Sequence, residues 1–271
     1  MINRYCKVNN QLILEKSRFF IPFLVLGDPS IEISFKIIHT LIKNGADGLE
    51  LGIPFSDPLA DGPTIQKANL RAFKANINIH KCFNMLSKLR NIYPKLPIGI
   101  LIYANLIFRY GIENFYKKCK KIDIDSVLIA DLPIEESLIF RTHAKRNDIN
   151  PVFICPPNAN KILLKKISVY NTAYIYLLSR PGVTGINKFN IFLLQDLILK
   201  LKKLTLFPII QGFGITNAQQ IKNIVLSGAS GVICGSVIID TIENNLYDYQ
   251  IMLNQLKKLS KTLKQATTIL T

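Results

Sequence analysis

Short, almost unbroken apolar runs alternate along the chain with stretches in which apolar residues return at helical spacing. The runs fall near 19–25, 47–51, 98–103, 126–131, 150–155, 173–178, 208–212 and 231–235. Two of them, Ile98-Gly99-Ile100-Leu101-Ile102-Tyr103 and Pro208-Ile209-Ile210, have the composition of strands covered on both faces. Between the runs, residues 31–44 place Ile33, Ile37, Ile38, Leu41 and Ile42 on one side of a helix, with His39 and Lys43 elsewhere. Gly45 then supplies a stop. Segments 112–121, 135–147, 160–169, 190–203 and 217–227 repeat the pattern.

Strands that alternate with helices predict parallel pairing with crossover connections. Eight such strands favour a closed (β/α)8 TIM barrel over an open doubly wound sheet. Residues 1–17 predict an additional N-terminal helix across the barrel floor. The interval between the second and third strands has room for an elaborated loop and helices. No linker, repeat or low-complexity tract divides the chain, so residues 1–271 are expected to form one domain.

Composition narrows the function classes. The chain is 49% hydrophobic and 19% charged, enough apolar material for a large core. No apolar run approaches the roughly 20 residues of a membrane span; the nearest, 19–27, is short and broken by Pro22. The first residues lack a secretory leader pattern, so a cytoplasmic location is expected. The five cysteines are dispersed and the three histidines stand far apart, which suggests neither a disulfide framework nor a metal site. The net charge of +16 raises nucleic-acid binding as a reading. The lysines, however, fall in short runs within helical patterns, such as 117–121 and 200–203, with no nucleic-acid signature beside them. A solvated basic exterior accounts for them, and its field favours anionic metabolites.

In a TIM barrel the reactive groups come from the C-terminal strand ends and the loops that follow. Glu50 ends the second strand within Gly48-Leu49-Glu50-Leu51-Gly52, and alternation turns it inward while Leu49 and Leu51 face away. Burial of a carboxylate there raises its pKa and suits it to proton exchange near neutral pH; a salt-bridged core glutamate is the plainer alternative. The proline-rich loop 53–63 brings Asp61 toward the mouth, where two acids in different surroundings can divide proton-transfer roles. Taken alone, Asp61-Gly62-Pro63 is more often an ordinary turn. Gly212-Phe213-Gly214 and Gly235-Ser236 close the last two strands, the usual place for a phosphate cradle of bare amides at a helix terminus. Segment 179–185, with Thr184 and Gly185, has the glycines and hydroxyls of a closing lid or of a passive surface loop. Phe23, Tyr103, Tyr176 and Phe213 stand at strand ends, where they can wall a flat apolar ligand or pack as ordinary core.

These segments together resemble the tryptophan synthase α subunit family across almost the whole chain. The densest stretch is LELGIPFSDPLADGPTIQKANLRAF at 49–73, joined in the family's order by PFLVLGDP, LIYANLIF, DSVLIADLPIEES, FICPPNA, YIYLLSRPGVTG, QGFGIT and CGS. The resemblance implies a lyase of tryptophan biosynthesis that splits indole-3-glycerol phosphate into indole and glyceraldehyde 3-phosphate by a reversible retro-aldol step. It assigns Glu50 as principal acid/base, Asp61 as the acid facing the indole nitrogen, and Tyr176 as a pocket tyrosine near the glutamate. Phe23, Leu101, Tyr103 and Ile154 would surround the indole, and Gly185, Gly214, Gly235 and Ser236 would bind the phosphate. It implies no cofactor in this chain, and a partner β subunit carrying pyridoxal phosphate in an α2β2 tetramer that receives the indole. Pro54, Asp57, Pro58, Asn105, Phe108 and Pro133 would face that partner, with 54–63 and 179–191 as signalling loops. Val25, Pro181 and Arg109 depart from what relatives often carry and bear on lid closure and coupling. Two other readings stand beside it: a non-catalytic regulatory subunit that binds a phosphate ligand, and another phosphate-binding barrel enzyme of the pathway, such as indole-glycerol-phosphate synthase.

Overall fold

The structure, a computed structural model, describes residues 3–178, 191–212 and 214–269, with the backbone alone at 191–193. Nine parallel strand segments run side by side around a nearly closed barrel in the order β5-β4-β3-β2-β1-β9-β8-β7-β6. They are β1 (Phe19–Val25), β2 (Leu49–Gly52), β3 (Ile98–Ile102), β4 (Ser126–Ile129), β5 (Asn150–Val152), β6 (Ile154–Cys155), β7 (Ile175–Leu178), β8 (Ile209–Gly212) and β9 (Gly231–Cys234). The fifth predicted strand is thus two segments. The amide of Phe153 donates to Asn171 Oδ1 at 2.8 Å instead of joining a ladder. β5 pairs with β4 and β6 with β7, so the chain itself bridges the seam. The second strand starts two residues later than expected because Asp47 is engaged elsewhere: its carboxylate accepts from the Phe20 amide at 2.8 Å and from Lys264 at 2.7 Å.

The helices follow the pattern that predicts them. Helix α1 (Arg4–Leu14) lies across the floor, with Asn3 capping its first turn by accepting from the Tyr5 amide. Its fully buried Tyr5 meets Ser126 Oγ at 2.9 Å at the start of β4. Helix α2 (Ile31–Lys43) buries Ile33, Ile37, Ile38 and Leu41, is capped by Ser30, and ends at Asn44 with Gly45 at φ +115°. Each such cap is worth about 1 kcal/mol, whereas each buried Ile or Leu contributes about 1.5–3 kcal/mol. The apolar face therefore decides where the helix lies.

After α2 come α3 (Pro63–Lys74) and α4 (Ile79–Ile92), which occupy the long interval between β2 and β3. Helices α5 (Ala104–Tyr110) and α6 (Ile112–Ile122) follow β3, and α7 (Leu138–Arg146) follows a 3-10 turn at Ile134–Ser137. The remaining helices are α8 (Lys161–Tyr170), α9 (Ile191–Lys202), α10 (Ala218–Leu226), α11 (Ser236–Glu243) and α12 (Tyr249–Gln265). Two of them, α5 and α12, have no counterpart among the expected helices. α12 packs on α2, where Ser260 Oγ donates to the carbonyl of Asn44 at 3.1 Å. Among the described residues no helix is long and apolar enough to cross a membrane.

Candidate active site

A cavity of about 340 Å3 opens at the C-terminal ends of the strands. Glu50 stands at its base and is 1% exposed. β2 delivers it inward because Leu49 and Leu51 fill the opposite face against the helices. Among the described residues its carboxylate has a single hydrogen-bond partner: the Tyr174 hydroxyl donates to Oε1 at 2.8 Å. Oε2 is buried with no partner among the described residues. Among the described residues no cation approaches it. Burial raises its pKa to about 7, against the opposing pull of the Tyr174 hydrogen bond. The salt-bridged alternative is thereby excluded among the described residues.

Asp61 enters from the loop after β2 and also lines the cavity. Burial raises its pKa to about 6, while contacts from Tyr103 and Asn69 act the other way. The loop is pinned at several points. The Ala60 amide donates to the Tyr103 hydroxyl at 3.1 Å, and the Phe55 ring stacks on Tyr103 with centroids 4.9 Å apart. Asn69 Nδ2 reaches Asp61 Oδ2 at 3.5 Å, and Gln66 Nε2 donates to the Asp61 carbonyl at 2.9 Å. An acid held in this way keeps its orientation without a counter-charge.

The walls between the acids are apolar. Phe23, Leu101, Leu128, Ile154 and Tyr176 surround the Glu50 end. Gly214, Gly235 and Ser236 complete the lining, with the Phe23 ring against Gly235. Ser236 opens α11, and the first backbone bonds of that helix are donated by Ile238 and Ile239 to the Gly235 carbonyl. The leading amides of Ser236 and Val237 precede those bonds, which is the arrangement that attracts an anion. Gly212 has a different task. A Cβ there would come within 2.1 Å of the Tyr176 hydroxyl, so only glycine lets that ring cross the barrel.

Most of the residues expected from sequence therefore converge: Glu50, Asp61, Tyr176, Phe23, Leu101, Ile154, Gly214, Gly235 and Ser236 share one cavity. Tyr103 differs. It is 2% exposed and anchors the loop that carries Asp61, and the cavity wall does not include it. Thr184, Gly185, Phe213 and the rest of the expected lid lie outside the described residues. Of the residues expected to face a partner, Asp57, Asn105, Phe108 and Pro133 are exposed, Pro58 is half-buried and Pro54 is buried.

Sequence reasoning missed Tyr174, the one donor to the principal acid. The signal was present, since Tyr174 and Tyr176 alternate toward the same side of the strand. It also missed Thr64 and Ile65, which line the cavity from the first turn of α3. No group of three or more acidic, His or Cys side chains suited to a metal occurs among the described residues.

The sequence and the fold are similar to those of known proteins. A profile described as tryptophan synthase alpha chain matches residues 10–268. The chain is 65% identical to the tryptophan synthase alpha chain of Buchnera aphidicola subsp. Baizongia pistaciae over 269 residues, 99% of this chain and 100% of that one. It is 51% identical to that of Photorhabdus laumondii over 268 residues, again 99% and 100%. Among solved structures, tryptophan synthase subunit alpha from Legionella pneumophila superposes with a TM-score of 0.89 at 28% identity, covering 98% of this chain and 99% of that chain. A chain of the tryptophan synthase complex from Pyrococcus furiosus superposes at 0.80 with 31% identity, covering 92% and 98%. With a profile match over nearly its whole length and relatives identical at half or more of their positions, the chain belongs to the tryptophan synthase alpha chain family.

Proposed function

We propose that Glu50 and Asp61 together carry the lyase reaction of this family in this chain. The reaction is the cleavage of indole-3-glycerol phosphate to indole and glyceraldehyde 3-phosphate in tryptophan biosynthesis. The observation that carries the assignment is a fully buried carboxyl with one neutral donor and no cation among the described residues, set in a largely apolar cavity that the first turn of α11 also lines.

With its pKa raised to about 7, Glu50 holds a proton for an appreciable part of the time at neutral pH. It delivers that proton to the indole carbon that bears the glycerol chain. The ring then carries positive charge at its nitrogen, and Asp61, ionised above about pH 6, stabilises it electrostatically. The carbon–carbon bond breaks, and its electron pair returns to the ring. The adjacent hydroxyl loses its proton to the Glu50 carboxylate as it becomes the aldehyde, which restores the starting state. The leading amides of α11 hold the phosphate at the far end, and the apolar walls receive the indole. Tyr174 orients Glu50, and the Tyr176 ring closes the cavity beside it.

The exposed loops after β2, β3 and β4 lie at the same barrel end as the cavity. Asp57, Asn105, Phe108 and Pro133 form a surface there on which a β subunit would sit and receive indole. The relative from Pyrococcus furiosus is described as part of a complex, which supports that reading. The β subunit would carry the pyridoxal phosphate, and this chain would work without a cofactor, in an α2β2 assembly. The test is indole release from indole-3-glycerol phosphate by the chain and by Glu50→Gln, with and without a β subunit. The reading expects loss of release in the variant with substrate binding retained, and stimulation of the unaltered chain by the β subunit. Unchanged turnover in Glu50→Gln would overturn it.

A further inference from the structure

Helix α3 leaves the loop that carries Asp61 and runs alongside α11, the helix whose first turn lines the far end of the cavity. Three side chains on one face of α3 reach across. Thr64 Oγ1 donates to Asp240 Oδ1 at 3.0 Å, Lys67 Nζ to Glu243 Oε1 at 2.7 Å, and Arg71 Nη1 to Glu243 Oε2 at 3.4 Å. Positions 64, 67 and 71 share a helical face, as do 240 and 243, so the two helices are joined rung by rung.

The rungs are not equivalent. Lys67 is exposed, and an ion pair there is screened. Arg71 is committed mainly to buried Asp28, to which it donates at 2.7 and 2.9 Å. Only the Thr64 rung stands at the cavity. Thr64 lines it three residues after Asp61, and Asp240 lies about one turn along α11 from Ser236. Between Asp61 and Thr64 the backbone passes through Gly62 and then Pro63, whose ring fixes φ at the first helical position. A short, stiff path therefore joins the acid at one end of the cavity to the anion-binding amides at the other.

We propose that Thr64 and Asp240 are positioning residues. Their hydrogen bond sets the separation between the Asp61 carboxylate and the α11 terminus, so that a substrate gripped by its phosphate brings its ring to the acids. This rests on the roles assigned above to Glu50, Asp61 and the 235–236 amides. Neither Thr64 nor Asp240 touches the reacting atoms. A clamp of this kind matters to a ligand that spans both ends and is indifferent to a ligand that fills one end.

That asymmetry supplies the test. In the full chain, assayed alone and with a β subunit, Thr64→Val is expected to lower kcat/KM for indole-3-glycerol phosphate about ten-fold, since small misplacements are costly in near-attack geometry. The dissociation constants of indole alone and of glycerol 3-phosphate alone are expected to stay within about two-fold. Thr64→Ser, which restores the hydroxyl, is expected to recover kcat/KM, and Asp240→Ala to match Thr64→Val without adding to it in the double variant. Asp240→Ala removes the same bond from the other side and is read by the same criteria if Thr64→Val does not fold. The proposal is overturned if Thr64→Val keeps kcat/KM within two-fold, or if the affinities for the two fragments fall in step with it. Glu50→Gln in the same assay separates the two levels. If it still releases indole, the reading of the acids fails and the clamp with it; if it is inactive while Thr64→Val is fully active, the clamp alone is wrong.

Discussion

Two buried carboxylates sit at opposite ends of the barrel, and their surroundings could hardly differ more. At the N-terminal floor, Asp125 accepts from Arg90 Nη2 at 2.6 Å, from Arg4 Nη1 at 2.8 Å and from the Ile98 amide at 2.8 Å. Arg90 in turn donates to the carbonyls of Tyr93, Leu96 and Asp123. At the cavity end, Glu50 has one neutral donor and an oxygen with no partner among the described residues. A pair of aromatic rings lies between them: Tyr5, bonded to Ser126 beside Asp125, packs in a tilted arrangement against Tyr174 with ring centroids 4.9 Å apart. A buried acid surrounded by cations and amides holds elements together. One denied them retains a proton and is available for chemistry. Asp125 at the floor is of the first kind, and Glu50 in the cavity is of the second.

Substitution on each side should separate the two roles. The largest effect is expected for Glu50→Gln, which removes acid/base function from the cavity. Indole release should fall by about 10²–10⁴-fold, as measured by steady-state turnover, while the fold remains intact. Next is Asp125→Ala, which leaves Arg90 buried without its carboxylate partner. It should cost about 3–5 kcal/mol of stability in denaturant unfolding, with kcat changed less than about two-fold at temperatures where the variant is folded. If Glu50→Gln unfolds the chain and Asp125→Ala stops the reaction, the division between the ends is wrong.

A pH titration of stability sharpens the contrast. Glu50 has its folded pKa raised from 4.5 to about 7. Between those values the folded chain binds a proton that the unfolded chain has released, so the contribution is present below about pH 4.5 and is lost as pH rises through 7. The loss amounts to about 3 kcal/mol. Asp61, raised from 3.8 to about 6, contributes with the same sign over a lower window. Glu50→Gln should flatten this fall between pH 4.5 and 7, and a fall of unchanged steepness would show that Glu50 is ionised in the folded state. Smaller still is Tyr174→Phe. Removing the donor takes away the contact that lowers the Glu50 pKa, so the ionisation governing kcat should move to higher pH, while the loss of the bond that orients the carboxyl should lower kcat about ten-fold. At the bottom of the scale, Lys117→Ala removes an exposed, solvent-screened i,i+4 pair with Glu113 and should leave the unfolding midpoint essentially unmoved.

The barrel was legible because its strands are buried on both faces and its helices on one, two periods that a sequence displays directly. Glu50 was legible for a related reason, since a charge inside a continuous apolar run is expensive. What escaped was set by long-range contacts. The break at Phe153 depends on Asn171, which is distant in sequence, and the late start of β2 depends on Asp47 meeting Lys264 near the other end of the chain. Helix α12, with Met252, Leu256 and Leu263 buried on one stripe, had a readable period but no strand after it to mark its place in the alternation. Tyr103 looked like cavity wall because it ends a strand, yet its hydroxyl is taken by the Ala60 amide. Tyr174 shares a side of its strand with Tyr176, but the acid that it meets is fixed by a contact 124 residues away in sequence.

The most direct measurement is the protonation of Glu50 itself, read as the carboxyl band in the infrared difference between the chain and Glu50→Gln across pH. The expected result is a protonated carboxyl at pH 5.5 that titrates near pH 7, moving to higher pH in Tyr174→Phe. A carboxylate already fully ionised at pH 5.5 would contradict the account.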